Sequence, residues 1–143
     1  MALLTTITTG IVKNYLTDAE LGSFLDEAEI QRHIQQVCDL VAAHVNNSGR
    51  YPRIPHGKCK VPDSLSGDAC VIIRQRLISL IPGMADTLEG ATRAKEYASA
   101  IDNLRSVARG ELQVNNYADD PSVEPAERAA VAGNPYQDWS LPL

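Results

Sequence analysis

Apolar side chains recur along most of this chain with the spacing of an α-helix. Between about Asp26 and Asn46 they fall three and four residues apart, which places them in one stripe along a helical surface. The stripe consists of Ile30, Ile34, Val37, Val41 and Val45. We predict a helix over this range, with the stripe buried in the core.

Capping and stop signals predict three further helices. A short one begins at Thr17–Glu20, which has the T-x-x-E spacing of a capping box, and continues through Leu21, Phe24 and Leu25. Another begins with Asp63 as its N-cap and ends at Pro82–Gly83. The last lies between Thr87 and Gly110, because glycine suits the position after a helix end. The expected apolar positions of these two longer helices are Leu65, Ala69, Ile72, Ile73, Leu77 and Leu80, then Ala94, Tyr97, Ile101, Leu104 and Ala108.

Few segments alternate between apolar and polar residues with a period of two, so few strands are expected. Tyr51–Ile54 is the best candidate for a short extended piece, since Pro52 and Pro55 favour extended backbone in the residues before them. The predicted fold class is all-α. It is a compact bundle of about four helices, with a long loop between the second and third helices and an extended C-terminal arm.

The composition is that of one globular domain. A length of 143 residues suffices for one core, and 44% hydrophobic with 22% charged residues is typical of a folded chain. No apolar run approaches the ~20 residues that cross a bilayer, and the first residues lack the basic start of a signal peptide. We therefore expect assembly in a cytoplasm and no membrane partner.

No motif in the sequence supports a reaction mechanism. Neither the G-x-S-x-G elbow nor the phosphate-binding G-x-x-x-x-G-K-[ST] occurs. His56 and Cys59 offer two zinc ligands, but structural zinc sites usually combine two such pairs and only one is present. The odd cysteine count predicts no disulfide framework, and Cys38 and Cys70 are expected in the core. We predict no catalytic residue, no metal, no cofactor and no enzymatic activity.

The pattern changes at Gly110. Residues 111–143 hold four of the eight Pro and no sustained apolar stripe, so we divide the chain into a helical domain, 1–110, and an extended C-terminal tail, 111–143. The tail nevertheless contains three of the seven aromatic residues. Such a segment is suited to dock on the protein's own core or on another subunit. Its candidate anchors are Tyr117, Tyr136, Trp139, Leu141 and Leu143.

Charge is divided between the same two parts. The tail carries six acids against Arg128 alone, whereas residues 1–110 carry twelve acids and twelve bases. Within that first part, positive charge gathers in Asn46–Pro62, here called the basic loop, which contains no Asp or Glu. Its bases are Arg50, Arg53, Lys58 and Lys60. Complementary patches on one chain favour head-to-tail association of identical copies, although a long surface loop also collects basic residues without a partner.

Three stretches follow one another in a recognisable order: "VAAHVNNSGRYPRI", then "VPDSLSGDACVIIRQRL", then "AKEYASAIDNLRSVARGEL". Over about residues 15–112 this order resembles the small helical head–tail connector, or adaptor, proteins of long-tailed double-stranded DNA phages, including Mu-like prophage members. The chain departs from that pattern in an inserted "HGKCK" after Ile54–Pro55 and in the acidic tail with its "NPYQDWSLPL".

The resemblance implies a structural protein of the virion neck. Family members form a ring, usually of twelve copies, that docks beneath the portal, lengthens the DNA channel and gives the tail or a stopper protein a platform. The implied partners are other copies of the chain, the portal, a tail or stopper protein, and double-stranded DNA that passes without sequence-specific binding. The predicted interface consists of the tail anchors together with Arg50, Tyr51, Arg53, Lys58 and Lys60.

Two other functions stay open. A stand-alone helical nucleic-acid-binding protein would use the bases of the basic loop on phosphates, with Tyr51 stacking on a base. A small enzyme with a site assembled between subunits is the other, and it rests only on scattered His and Cys residues.

Overall fold

The computed structural model describes residues 3–21, 26–80 and 88–123. In chain order they form strand β1 (Leu4–Thr6), helices α1 (Thr9–Lys13), α2 (Asp18–Leu21) and α3 (Glu27–Asn47), strand β2 (Lys60–Pro62), a 3₁₀ turn (Asp63–Leu65), and helices α4 (Ser66–Ile78) and α5 (Leu88–Ala108). The three long helices, α3, α4 and α5, pack against one another and enclose the core. Among the helices described, none is long and apolar enough to cross a bilayer.

Helix α3 contacts α1, α4, α5 and β2 and so reaches most of the core. It begins after Asp26, whose side chain accepts a hydrogen bond from the Ala28 N–H at 2.9 Å. All five apolar residues of the predicted stripe are buried, which confirms the helix and its inward face. At ~1.5–3 kcal/mol per buried large side chain, this stripe is a main source of stability.

Helix α4 starts and ends differently from the prediction. Asp63 caps no helix with its side chain; its Oδ1 accepts a hydrogen bond from Thr5 Oγ1 at 2.7 Å, and Asp63 opens the 3₁₀ turn that leads into α4. The helix stops at Ile78, and Leu80 beyond it is 50% exposed, so the placement of Leu80 on the buried stripe is wrong. The other predicted positions are buried: Leu65, Ala69, Ile72, Ile73 and Leu77.

Helix α5 buries a face that is offset from the predicted one but overlaps it, since Tyr97 and Ile101 pack against the core. Leu104 is buried as expected, but Ala94 is exposed, and Tyr97, Ile101 and Ala108 are only partly buried. The buried positions that the prediction missed are Gly90, Arg93, Ala100 and Val107. Alanines lie all around this helix, so the apolar pattern defines its buried face poorly, and a charged residue within that face cannot be found from hydrophobicity.

The end of α5 is a Schellman motif. Gly110 has φ 78°, its N–H donates to the Val107 carbonyl at 3.0 Å, and the Glu111 N–H donates to the Ser106 carbonyl at 2.8 Å. The prediction that Gly110 follows the helix end is confirmed.

A two-stranded sheet corrects the all-α prediction. Strand β1 pairs with β2 in antiparallel register, with Thr5 opposite Val61. The segment expected to be extended, Tyr51–Ile54, forms no strand. Each strand has three residues, which is too short for a period of two to stand out in the sequence.

Helix α2 begins with the predicted capping box. The Thr17 N–H donates to Glu20 Oε1 at 2.7 Å, and the Glu20 N–H donates to Thr17 Oγ1 at 3.3 Å. The second oxygen of Glu20 forms an ion pair with Arg93 of α5, and both side chains are buried. One carboxylate therefore caps α2 and ties it to α5.

All three cysteines are free and buried, which confirms that no disulfide framework forms and that Cys38 and Cys70 belong to the core. Burial raises the pKa of both of those thiols, that of Cys70 to about 11, so they stay protonated at neutral pH.

We predict that Glu20→Ala destabilises the protein by about 3–5 kcal/mol, because it leaves the Arg93 guanidinium buried without its carboxylate. Glu20→Gln keeps a side chain that can complete the capping box and is expected to lose less. Urea unfolding followed by circular dichroism measures both. Equal stability of the wild type and Glu20→Ala would contradict the role of the pair.

Candidate functional site

Residues 111–123, the first part of the tail, fold back on the helical domain and are here called the strap. Every third side chain of the strap is buried: Val114, Tyr117, Asp120 and Val123. The Asp120 N–H donates to the Tyr117 carbonyl and the Val123 N–H to the Asp120 carbonyl, both at 3.0 Å, which closes two successive turns. The other tail residues, 124–143, are here called the distal segment and lie outside the described residues.

Two tyrosines join the strap to the basic loop. The rings of Tyr51 and Tyr117 stack with centroids 6.2 Å apart and planes inclined by 29°. The Tyr117 hydroxyl donates to the Pro52 carbonyl at 2.6 Å, and the Val114 N–H donates to the Tyr51 hydroxyl at 3.1 Å. Tyr117 is fully buried in its own chain. The other four predicted anchors, Tyr136, Trp139, Leu141 and Leu143, lie outside the described residues.

The strap also holds strand β1. Asn115 Nδ2 donates to the Leu3 carbonyl at 2.8 Å, and Asp120 Oδ2 accepts a hydrogen bond from the Leu4 N–H at 3.1 Å. Asn115 and Ser64 add a reciprocal pair: the Ser64 N–H donates to Asn115 Oδ1 at 2.9 Å, and the Asn115 N–H donates to Ser64 Oγ at 3.1 Å. Side chains of the strap thus cover part of the outer edge of a two-stranded sheet.

Asp120 is an ionised group in a buried position, with 7% of its surface exposed. Burial by itself raises the pKa of this carboxyl, but hydrogen bonds from Ser122 and Leu4 and the positive charge of Lys60 outweigh burial and hold the pKa below its ordinary value. The charged form of Asp120 is therefore the one that fastens the strap.

Helix α3 holds the basic loop at two points. Asn46 spans the loop, because its Oδ1 accepts a hydrogen bond from the Ile54 N–H at 2.9 Å and its Nδ2 donates to the Ile54 carbonyl at 3.2 Å. Further along, Asp39 Oδ1 accepts a hydrogen bond from the Gly57 N–H at 3.0 Å. Gly57 has φ 83°, which glycine adopts without strain.

The four bases of the loop differ in their surroundings. Arg53 and Lys58 are exposed and form no ion pair within the described part of the chain. The Arg50 guanidinium lies against Gly110 at the end of α5, where the helix dipole favours a cation. The positive charge of Lys60 lowers the pKa of the Asp120 carboxyl. Arg53 and Lys58 are thus the two loop charges left without compensation by the described residues.

The candidate zinc ligands do not form a metal site with other described residues. No group of three or more His, Cys, Asp or Glu among residues 3–21, 26–80 and 88–123 is placed to hold a metal ion. His56 Nδ1 lies 3.7 Å from Asp39 Oδ1, and Cys59 Sγ accepts a hydrogen bond from Gln31 Nε2 at 3.5 Å.

Several residues that shape this surface were missed in the sequence: Asn46, Asn115 and Asp120. Each acts by bonding its side chain to backbone far away in the chain, and such bonds leave no local periodic signal. The one available signal for the strap is the apolar spacing of Val114, Tyr117 and Val123, at multiples of three, which matches neither a helix nor a strand.

A comparison with protein-family models matches residues 5–132 to the family described as Bacteriophage Mu, Gp36. The chain belongs to this family, which makes it a phage protein and indicates a structural or assembly role. No curated protein and no solved structure matches the chain.

We predict that Asp120→Asn lowers the free energy of unfolding at pH 7 by about 1–3 kcal/mol, because a charged hydrogen-bond acceptor of the Leu4 N–H is lost. A carboxyl whose folded pKa is depressed stabilises the protein above its unfolded pKa, near 4, and this stability disappears as the pH falls through the lower folded pKa. The difference between wild type and variant should therefore shrink as the pH is lowered from 7 through the unfolded pKa and on toward the depressed folded pKa.

Urea midpoints measured across this range test the prediction. Asp119→Asn, which changes an exposed neighbour, is the matched control and is expected to behave like the wild type at pH 7. A difference between wild type and Asp120→Asn that stays constant with pH would show that ionised Asp120 does not fasten the strap.

Proposed function

We propose that this protein is a head–tail connector that forms a ring between the portal and the tail of a long-tailed phage. The observation that carries the proposal is the family match over residues 5–132, which identifies a phage protein of structural or assembly type. The proposed partners are other copies of the chain, usually twelve in a ring, the portal, and a tail or stopper protein. Double-stranded DNA passes through the channel without sequence-specific contacts, and the protein performs no catalysis.

The geometry of the described residues is compatible with this role. A ring subunit needs a rigid body, and the three long helices with the docked strap supply one core. It also needs surface features that reach neighbours. The basic loop presents Arg53 and Lys58 on an anchored backbone, and the distal segment follows the buried Val123 at the end of the strap.

The distal segment supplies the proposed anchors. Tyr117 in the strap already contacts its own chain. The aromatic residues of the tail that are left for a partner are Tyr136 and Trp139. Large aromatic side chains that enter a partner's pocket dominate the energy of many interfaces. We therefore assign Tyr136 and Trp139, with Leu141 and Leu143, to contacts with a neighbouring copy or the portal.

We predict that Trp139→Ala weakens ring assembly by about 2 kcal/mol per contact, because the principal anchor is lost. Its thermal unfolding temperature should stay close to that of the wild type. Sedimentation velocity over a concentration series measures assembly, and circular dichroism measures unfolding. Trp139→Phe keeps an aromatic ring and is expected to assemble better than the alanine variant. Assembly of Trp139→Ala equal to that of the wild type would contradict the assignment.

Negative-stain imaging of the purified protein, alone and mixed with a portal, tests the proposed function directly. Rings that cap the portal are expected. Particles that stay single in both samples would overturn the connector role.

A stand-alone nucleic-acid-binding protein is the second candidate, and the uncompensated Arg53 and Lys58 favour it. Its signature is binding of DNA by the single chain that weakens steeply with salt. Absence of DNA binding at low salt would remove this candidate.

A further inference from the structure

The basic loop presents charge that its own chain leaves uncompensated in the described residues. The Arg50 guanidinium lies at the end of α5, and the charge of Lys60 lowers the pKa of Asp120. Arg53 and Lys58 are exposed and form no ion pair among those residues. The bonds from Asn46 and Asp39 hold the backbone at Ile54 and Gly57, between these two residues. The loop thus presents two exposed positive side chains on a backbone that is held in place.

The distal segment carries the opposite charge. Residues 124–143 contain three acids, Glu124, Glu127 and Asp138, against Arg128 alone. This segment follows Val123, which is buried, three residues after the Asp120 carboxylate that Lys60 acts on. Its 20 residues span at most about 66 Å when fully extended. That length is several times the ~13–15 Å radius of gyration of a compact domain of this size, so the segment can reach a second copy.

We propose that the distal segment of one copy binds the basic loop of a neighbouring copy, with the acids of the segment facing Arg53 and Lys58. This inference rests on the proposed ring, because it names the surface that joins adjacent subunits. Each copy has one loop and one segment, and a contact between two different patches is heterologous. Around a closed ring such a contact uses every loop and every segment once.

The strap explains why the neighbour is the favoured occupant of this surface. In its own chain the strap already stacks Tyr117 on Tyr51, and the charge of Lys60 lowers the pKa of Asp120. Within one chain, the strap therefore supplies contacts to the loop, and the distal segment is left for another partner. The surface that remains, around Arg53 and Lys58, is open to a segment from outside.

Exchange of charges between loop and segment tests the contact. The loop variant is Arg53→Glu with Lys58→Glu, and the segment variant is Glu124→Lys with Glu127→Lys and Asp138→Lys. Each variant alone pairs like charges at every contact, and we expect the concentration needed for half assembly to rise roughly tenfold or more. A chain with both sets of changes pairs opposite charges again and should assemble like the wild type.

An equimolar mixture of the loop variant and the segment variant separates neighbour contacts from contacts within one chain. In an alternating ring every contact between copies is matched again, whereas every contact within a chain stays mismatched. We expect the mixture to assemble close to the wild-type concentration. Rescue by the doubly changed chain without rescue by the mixture would overturn the proposal in favour of an own-chain contact.

The control for the loop variant is Arg32→Glu with Arg105→Glu, which makes the same charge change at side chains that are each 62% exposed on α3 and α5 and each 3.9 Å from a carboxylate of the same helix. It should assemble like the wild type, and melting curves should show that all variants fold. If loop and control variants weaken assembly equally, the effect is one of net charge and the contact is rejected.

Two further outcomes separate this inference from the proposed function. If the wild type forms no oligomer, with or without a portal, the ring itself fails. If the wild type forms rings and both charge variants form them equally well, only the loop contact fails. A loop variant that assembles normally but loses salt-sensitive binding of a DNA duplex would assign the surface to nucleic acid instead.

Discussion

The hydrogen bond from the buried Tyr117 hydroxyl to the Pro52 carbonyl ties together the parts of this protein that matter for its surface. It fixes the strap over the basic loop, and the stacked Tyr51 completes the junction. From that junction the strap continues to Asp120, which binds strand β1, and the loop continues to the exposed Arg53. This contact therefore links the loop, which α3 also holds at Ile54 and Gly57, to the strap that leads into the distal segment.

The sequence predicts the helices well, because their signals are local. The apolar stripe of α3, the capping box at Thr17 and the glycine after α5 all lie where the pattern places them. Prediction from sequence fails where contacts between residues far apart in the chain determine which side chains are buried. The buried face of α5 includes Arg93, whose partner Glu20 lies far away in the chain, and the strands are too short to show a period. The all-α class is therefore right about the bundle and wrong about the sheet.

The candidate site was only partly visible in the sequence. Composition identified the basic loop, and the structure distinguishes its bases: Arg50 is exposed but lies against the end of α5, Lys60 is partly buried, and Arg53 and Lys58 are exposed without an ion pair among the described residues. The aromatic content of the tail predicted that it docks, with Tyr117 as an anchor, but three buried apolar side chains at multiples of three match no regular element and left the path of the strap unpredicted. Membership in the Bacteriophage Mu, Gp36 family indicates a structural or assembly role for the chain that carries this surface.

The strap has a consequence for biosynthesis. Leu4 bonds to Asp120 across 116 positions, and Leu3 bonds to Asn115 across 112. A ribosome releases Leu4 early, but its partner emerges only when most of the chain has been translated. Strand β1 must therefore wait for the turns of the strap, and loop closure over this span makes that step the slow, non-local part of folding. The surface formed by the strap and the basic loop is therefore complete only after residues 1–110 have been translated.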